Sequence, residues 1–192
     1  SSLVSKLTKI EGEKISYYII PYGKGNLREN PDYESYWKQI CSDLSPDIVH
    51  IYGTEFSHAL SCMRVSDVDS VVVSIQGLTS VIQQYYSSAI STKEILKNIT
   101  PRDVFRGTIL REQREFERRS QYEREILKLA KHIIGRTSWD KAHIRAINPK
   151  ATYYFCNETL RDEFYDGSLW RYDNCHKYTI FLSQAGYPIK GL

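Results

Sequence analysis

The strongest constraint in this 192-residue chain is a set of short, continuous apolar runs that alternate with segments of helical periodicity. The runs are 47–52 (DIVHIY), 70–75 (SVVVSI), 133–137 (IIGRT) and 151–156 (ATYYFC). Between them, apolar residues at 33, 36, 37, 40, 41 and 44 predict a helix over 33–44, ended by Ser45-Pro46. Further helices are predicted over 57–64, 106–132 and 138–147, the last stopped by Asn148-Pro149. Strands that read as solid apolar runs rather than strict alternators belong to parallel sheets buried on both faces. The expectation is therefore an α/β, three-layer Rossmann-like domain with a mainly parallel sheet, in which 47–52 is a central strand. Outside this pattern, Leu3, Val4 and Leu7 read as the end of an amphipathic helix. The run 15–21 (ISYYIIP) reads as a buried strand, and 177–183 as a last strand. Residues 80–105 read as short helices and loops, and no internal repeat is visible.

Size and composition narrow the function. A chain of this length can bury one real core. A net charge of +3 is far from the footprint of a dedicated nucleic-acid binder. No run of about 18 apolar residues is present, and the N-terminal Ser-Ser-Leu-Val lacks the plan of a signal peptide. Cys41, Cys62, Cys156 and Cys175 form no CxxC pair and sit at no zinc-ligand spacing, so they read as reduced thiols of a cytosolic protein with no metal site. Fifteen tyrosines suit sugar-facing surfaces and interfaces, and equally suit partly buried strands.

Ligands of open parallel sheets bind beyond the carboxyl ends of the strands. Four strand exits combine a small residue with a polar one: Gly53-Thr54-Glu55, Gln76-Gly77, Arg136-Thr137, and a last one containing Ser183, Gly186 and Lys190. Glycine permits close backbone approach, and a free helix N-terminus offers N–H groups to an anion. Each exit also has a plain reading as turn and cap chemistry: Thr54 is a normal N-cap, Glu55 suits the first turn of a helix, and Thr137 or Ser138 could equally cap the helix that follows. The argument for a site rests on several exits meeting at one sheet edge.

The long helix carries many arginines and lysines interleaved with glutamates, and Glu115 and Arg119 have pairing spacing. That reads first as a solvated, ion-paired face. A contact to phosphate-bearing acceptors or an anionic membrane is the alternative, centred on the arginines before Glu112. His50 reads as structural within a strand. His58 reads as a packed or surface histidine, with a general-base role as the alternative. No Ser-His-Asp plan, HExxH or phosphate loop is present.

Several stretches resemble family 4 glycosyltransferases of the two-domain GT-B type. PDIVHIYGTEFSHAL (46–60) resembles their strand-loop-helix, and VVVSIQGL (71–78) the next strand with its acceptor-facing loop. EREILKLAKHIIGRTSWDKAHIRAINP (123–149) resembles the unit that closes their N-terminal domain. Within it, GRTSWDKA is similar to polysaccharide-locus members, and YTIFLSQAGYPIKGL (178–192) resembles the opening of the donor-binding domain.

The resemblance implies the N-terminal half of a GT-B fold, truncated at both ends. Residues 1–176 would form the acceptor-side domain without its first strand, and 177–192 the start of the donor-binding domain. It implies transfer of a sugar from a nucleotide-sugar donor to a saccharide or lipid-linked acceptor, with retention, without metal or other cofactor, and with the fragment inactive alone. Gly53, Thr54, Glu55, Gln76, Gly77, Arg136 and Thr137 would line the acceptor cleft. Lys190, Gly186 and Ser183 would face the donor phosphates. The setting implied is bacterial surface-polysaccharide synthesis in the cytoplasm, with contact at the inner face of the membrane. Gln76 stands where some members carry histidine, and Gln184 where some carry arginine, which bears on roles rather than fold. Two other classes compete: a non-catalytic Rossmann-like binding or scaffolding domain, and a nucleic-acid module using the Arg-rich helix, against which the interleaved glutamates argue. A missing strand would leave an unpaired sheet edge and favour self-association or unusual instability.

Overall fold

The structure, a computed structural model, describes residues 4–21, 30–169 and 171–180. The chain opens with a two-stranded antiparallel hairpin, β1 (Thr8–Glu11) and β2 (Ser16–Ile19). The α/β part follows: α1 (Asp32–Leu44), β3 (Val49–Tyr52), α2 (Ser57–Val65), β4 (Val71–Ser74), α3 (Thr79–Ile82) with a 3₁₀ turn, α4 (Thr92–Lys97), α5 (Pro101–Arg106), α6 (Ile109–Leu129), β5 (His132–Gly135), α7 (Ser138–Ile147) and β6 (Thr152–Phe155). A single turn, α8 (Glu163–Asp166), comes later.

Strands β3 to β6 form one all-parallel sheet in the order β3-β4-β5-β6, flanked by helices. Strands in sequential order joined by right-handed crossovers place every connecting helix on the same face. Burial agrees. Ile51, Val71, Val73 and Ile133 point into the core with Leu60 and Met63 of α2, Ile126 and Leu127 of α6 and Ile144 of α7. Helix α1 packs outside α2, where the Trp37 indole donates to the His58 carbonyl at 2.9 Å. The Asn148 amide closes the C-terminus of α6 by donating to the carbonyls of Leu127 and Ala130, each at 2.9 Å.

The opposite face differs from the expected third layer. Register places His50, Val72, His132 and Thr152 in one row across the four strands, and Tyr52, Ser74, Ile134 and Tyr154 in the next. His50, Tyr52, Thr152 and Tyr154 are exposed, and Val72, His132 and Ile134 only half-buried. Among the described residues this face has no helical cover. Hydroxyls and imidazoles on it pair with one another, as in His50 Nε2 to Ser74 Oγ at 2.7 Å and His132 Nδ1 to Tyr154 Oη at 3.1 Å.

Local expectations divide in the same way. The helices expected over 33–44, 57–64 and 138–147 form, as do short helices between 80 and 105. Of the segment read as a helix end, Leu3 lies outside the described residues, and Val4 to Leu7 instead lead into β1, whose partner β2 stands apart from the main sheet. Ile15 and Tyr17 are exposed there, so 15–21 is not a buried strand. DIVHIY forms β3 at one edge of the four-stranded sheet, not its centre. The long helix starts at Ile109, because Gly107 takes φ +94 and breaks it from α5, and it stops before His132, which already belongs to β5. Glu115 pairs with Arg111 at 3.6 Å rather than with Arg119, which turns to Glu55. Lys177 to Ile180 contain no strand, and the rest of the 177–183 run lies outside the described residues.

Candidate functional site

The exits of β4 and β5 are adjacent and open onto two cavities. One, of ≈ 330 Å³, lies over the polar face of the sheet; His50, Tyr52, Ser74, Gln76, Arg136 and Glu158 are among its lining residues. The other, of ≈ 240 Å³, lies between Gln76-Gly77 and the start of α7, with Arg136, Thr137, Trp139 and Asp140. Gln76 and Arg136 line both. The Arg136 guanidinium donates from Nη2 to the Gln76 carbonyl at 3.1 Å and pairs through Nη1 with Glu158 Oε1 at 2.9 Å. That same oxygen accepts from the Tyr52 hydroxyl at 3.0 Å. Glu158, from the loop after β6, thus reaches back across the sheet end to β3.

The backbone donors at these exits are already occupied by the chain's own carboxylates. Glu123, fully buried in α6, accepts from Thr79 N at 2.9 Å and Ser80 N at 2.8 Å, and from the hydroxyls of Thr79 at 2.9 Å and Thr54 at 3.1 Å. Asp140 accepts from Arg136 N at 3.0 Å and Thr137 N at 2.9 Å, while Thr137 Oγ1 caps α7 by accepting from Asp140 N at 3.1 Å. Burial opposes ionisation of Asp140. The N–H of Arg136, the Tyr153 hydroxyl and the donors of Thr137 outweigh it and hold the carboxyl below the usual carboxylate range. Tyr153 reaches Asp140 because residue 135 is glycine: a Cβ there would sit 2.5 Å from the tyrosine hydroxyl. Burial, and then the Asp140 carboxylate, push the Tyr153 phenol up to about 12.

Of the residues expected at the cleft, Gln76, Gly77, Arg136 and Thr137 come together around these cavities. Gly53, Thr54 and Glu55 line neither. Gly53 turns the chain at φ +92, a conformation that favours glycine. Thr54 is buried against Glu123, and Glu55 lies 4.0 Å from Arg119. Ser183, Gly186 and Lys190 lie outside the described residues. His58 is packed, stacked on Phe56 with ring centroids 5.3 Å apart, and burial lowers its pKa.

Sequence reasoning missed His50, Tyr52, Ser74, Trp139 and Glu158. The first three looked like strand interior because a strand's two faces cannot be told apart until its cover is known. Trp139, about half exposed beside the smaller cavity, sits in the GRTSWDKA stretch and was legible only as part of that motif.

Among the described residues, no group of three or more His, Cys, Asp or Glu is placed to hold a metal ion, and no helix is long and apolar enough to cross a membrane. No protein-family model, curated protein or solved structure matches the chain.

Proposed function

We propose that this chain is the acceptor-side half of a glycosyltransferase and that its two adjoining cavities hold a neutral, polyhydroxylated acceptor. The observation that carries this reading is the internal capping of the strand exits. Anions are drawn to helix N-termini and unpaired guanidinium groups. Here Glu123 and Asp140 occupy the N–H groups at the starts of α3 and α7, and Glu158 neutralises Arg136. What remains for a ligand is a lining of hydroxyl, imidazole and amide groups from Ser74, His50 and Gln76, beside the exposed rings of Tyr52 and Trp139. Such groups suit a saccharide, whose hydroxyls need several weak partners and whose apolar ring faces suit aromatic surfaces.

In transfer, the oxygen of an acceptor hydroxyl would bond to the donor's anomeric carbon as the bond to the leaving diphosphate breaks, and the hydroxyl proton would pass to the departing diphosphate oxygen. Arg136, Gln76 and Glu158 position that hydroxyl's sugar. Stabilisation of the leaving charge falls to groups outside the described residues, where Lys190, Gly186 and Ser183 belong in this reading.

Saturation-transfer NMR with common hexoses, N-acetylhexosamines and their disaccharides tests the acceptor site, with thermal shifts against UDP-, GDP- and ADP-sugars alongside. Saccharide signals weakened about ten-fold in Arg136→Ala are expected, since one charge-assisted hydrogen bond is lost. Nucleotide-sugar stabilisation, where seen, should survive that substitution. Nucleotide binding abolished by Arg136→Ala would reverse the assignment of the two sides. Absence of any saccharide or nucleotide response would favour a non-catalytic binding domain.

A further inference from the structure

The open face of the sheet carries a further cavity, at the amino half of the strands. It measures ≈ 400 Å³, and Ile48, Val72, His132 and Tyr154 are among its lining residues. Ile134 lines both this cavity and the ≈ 330 Å³ one over the carboxyl half, so the two adjoin. Ser70 lines the first and Gln76 the second; they flank β4 and are separated by roughly 20 Å of extended chain.

Strand register shapes this surface into a trough. The inner strands β4 and β5 supply its floor, where Val72, Ser74, His132 and Ile134 are buried or half-buried. The outer strands supply the rims: Ile48, just before β3, is 65% exposed, Tyr52 62%, and Tyr154 on β6 44%. Three strand spacings of roughly 4.8 Å put these rims about 14 Å apart. Glu158 bridges the carboxyl end by meeting both Arg136 and Tyr52.

The lining selects the occupant. Among the described residues of the amino-half cavity the charged ones are Asp47 and Asp69, and Asp69 pairs with Lys131. An anion meets carboxylates there and gains nothing. An apolar protein face would desolvate the imidazoles and hydroxyls of His50, Ser74, His132 and Tyr154 without offering them partners. A sugar chain offers both things the trough presents: apolar ring faces for Tyr154 and Ile48, and hydroxyls for the imidazoles and Asp47.

We propose that the acceptor is a linear, uncharged oligosaccharide and that this trough is its track. The reacting unit lies at Arg136 and Gln76, and the preceding units run down the open face past His132 and Tyr154. The track rests on the saccharide reading of the exit cavities. It adds a binding surface on the face of the sheet, away from the carboxyl edge where ligands of open parallel sheets gather.

The test is titration calorimetry of the whole protein with malto-, cello- and N-acetylglucosamine oligomers, from monosaccharide to hexasaccharide. In at least one series, affinity should rise about ten-fold between disaccharide and tetrasaccharide, as one aromatic contact and a hydrogen bond are added. Tyr154→Ala removes a rim and Val72→Trp fills the floor. Each should abolish that gain and leave the disaccharide within about two-fold of wild type. Both positions lie on the open face, away from the core, so circular dichroism should be unchanged. A disaccharide that binds through Arg136 with no gain from longer chains, or a gain that both variants leave intact, overturns the track and leaves the exit site standing. No saccharide binding at any length removes the exit reading and the track with it. Oligogalacturonate binding as tightly as the neutral chains overturns the uncharged assignment. A dimer in size-exclusion chromatography that Val72→Trp dissociates also overturns the track, because the face would then be a self-interface.

Discussion

Replacing Glu123 isolates what holds the strand exits together. Its two oxygens accept from two backbone N–H groups and two hydroxyls inside the core, with no exposure to water. Glu123→Gln keeps the shape but substitutes an NH₂ for one acceptor. Whichever way the amide turns, a donor then faces the N–H of Thr79 or of Ser80. One backbone hydrogen bond to a charged group is lost, about 1.5–3 kcal/mol. Glu123→Ala removes all four contacts and leaves buried donors without partners, about 3–5 kcal/mol by analogy with breaking a buried charged network. At roughly 2–4 °C per kcal/mol for a chain of this size, the alanine variant should melt some 6–20 °C lower. Urea unfolding followed by circular dichroism reads the change as a shift in midpoint at constant slope. Glu117→Ala, exposed on the same helix, is the control and should stay within about 0.5 kcal/mol. An alanine variant less than about 1 kcal/mol below wild type would refute the latch and return Thr54 to consideration as a ligand group.

Other outcomes follow from the same geometry. Asp140 has a folded pKa below its unfolded value, so the stability it contributes is present above about pH 4 and is lost as pH falls through the folded value. Asp140→Asn should be less stable than wild type at neutral pH, and the gap should close in acid unfolding series; a gap independent of pH would contradict the carboxylate's role. Burial pushes the Cys62 thiol up to about 11, partly offset by Ser66, so a thiol reagent at neutral pH should spare it while modifying exposed Cys156 and Cys175. Cys156 lines the larger cavity, so a bound saccharide should slow its modification but not that of Cys175; equal slowing at both would argue against that cavity as the binding site. Gly135→Ala should force the Tyr153 ring away from Asp140, lower the melting temperature and weaken saccharide signals together; an unchanged protein would mean the Tyr153–Asp140 contact does not shape the site.

The chain's own pattern of solid apolar runs and 3.6-residue periodicity was sufficient for the parallel α/β class and for helices α1, α2 and α7. Those features depend on contacts between neighbours in sequence or on burial that any tertiary arrangement would require. A cap at Thr137 or Ser138 was also legible, because an N-cap is a local hydrogen bond, and the structure puts it at Thr137. Tertiary structure decided the rest. ISYYIIP has every mark of a buried strand, yet it pairs only with Thr8–Glu11 in an exposed hairpin, since strand propensity says nothing about which partner a strand finds. Thr54 and Thr137 looked alike as polar exit residues. Only the packing of α6 against α2 and α3 buries the first against Glu123, while the second stays exposed beside Arg136. The polar face of the sheet is the clearest case. His50, Ser74, His132 and Tyr154 are scattered over more than a hundred positions and become one surface only when the register of four parallel strands aligns them. Long-range pairing of that kind leaves no periodic trace in the sequence itself.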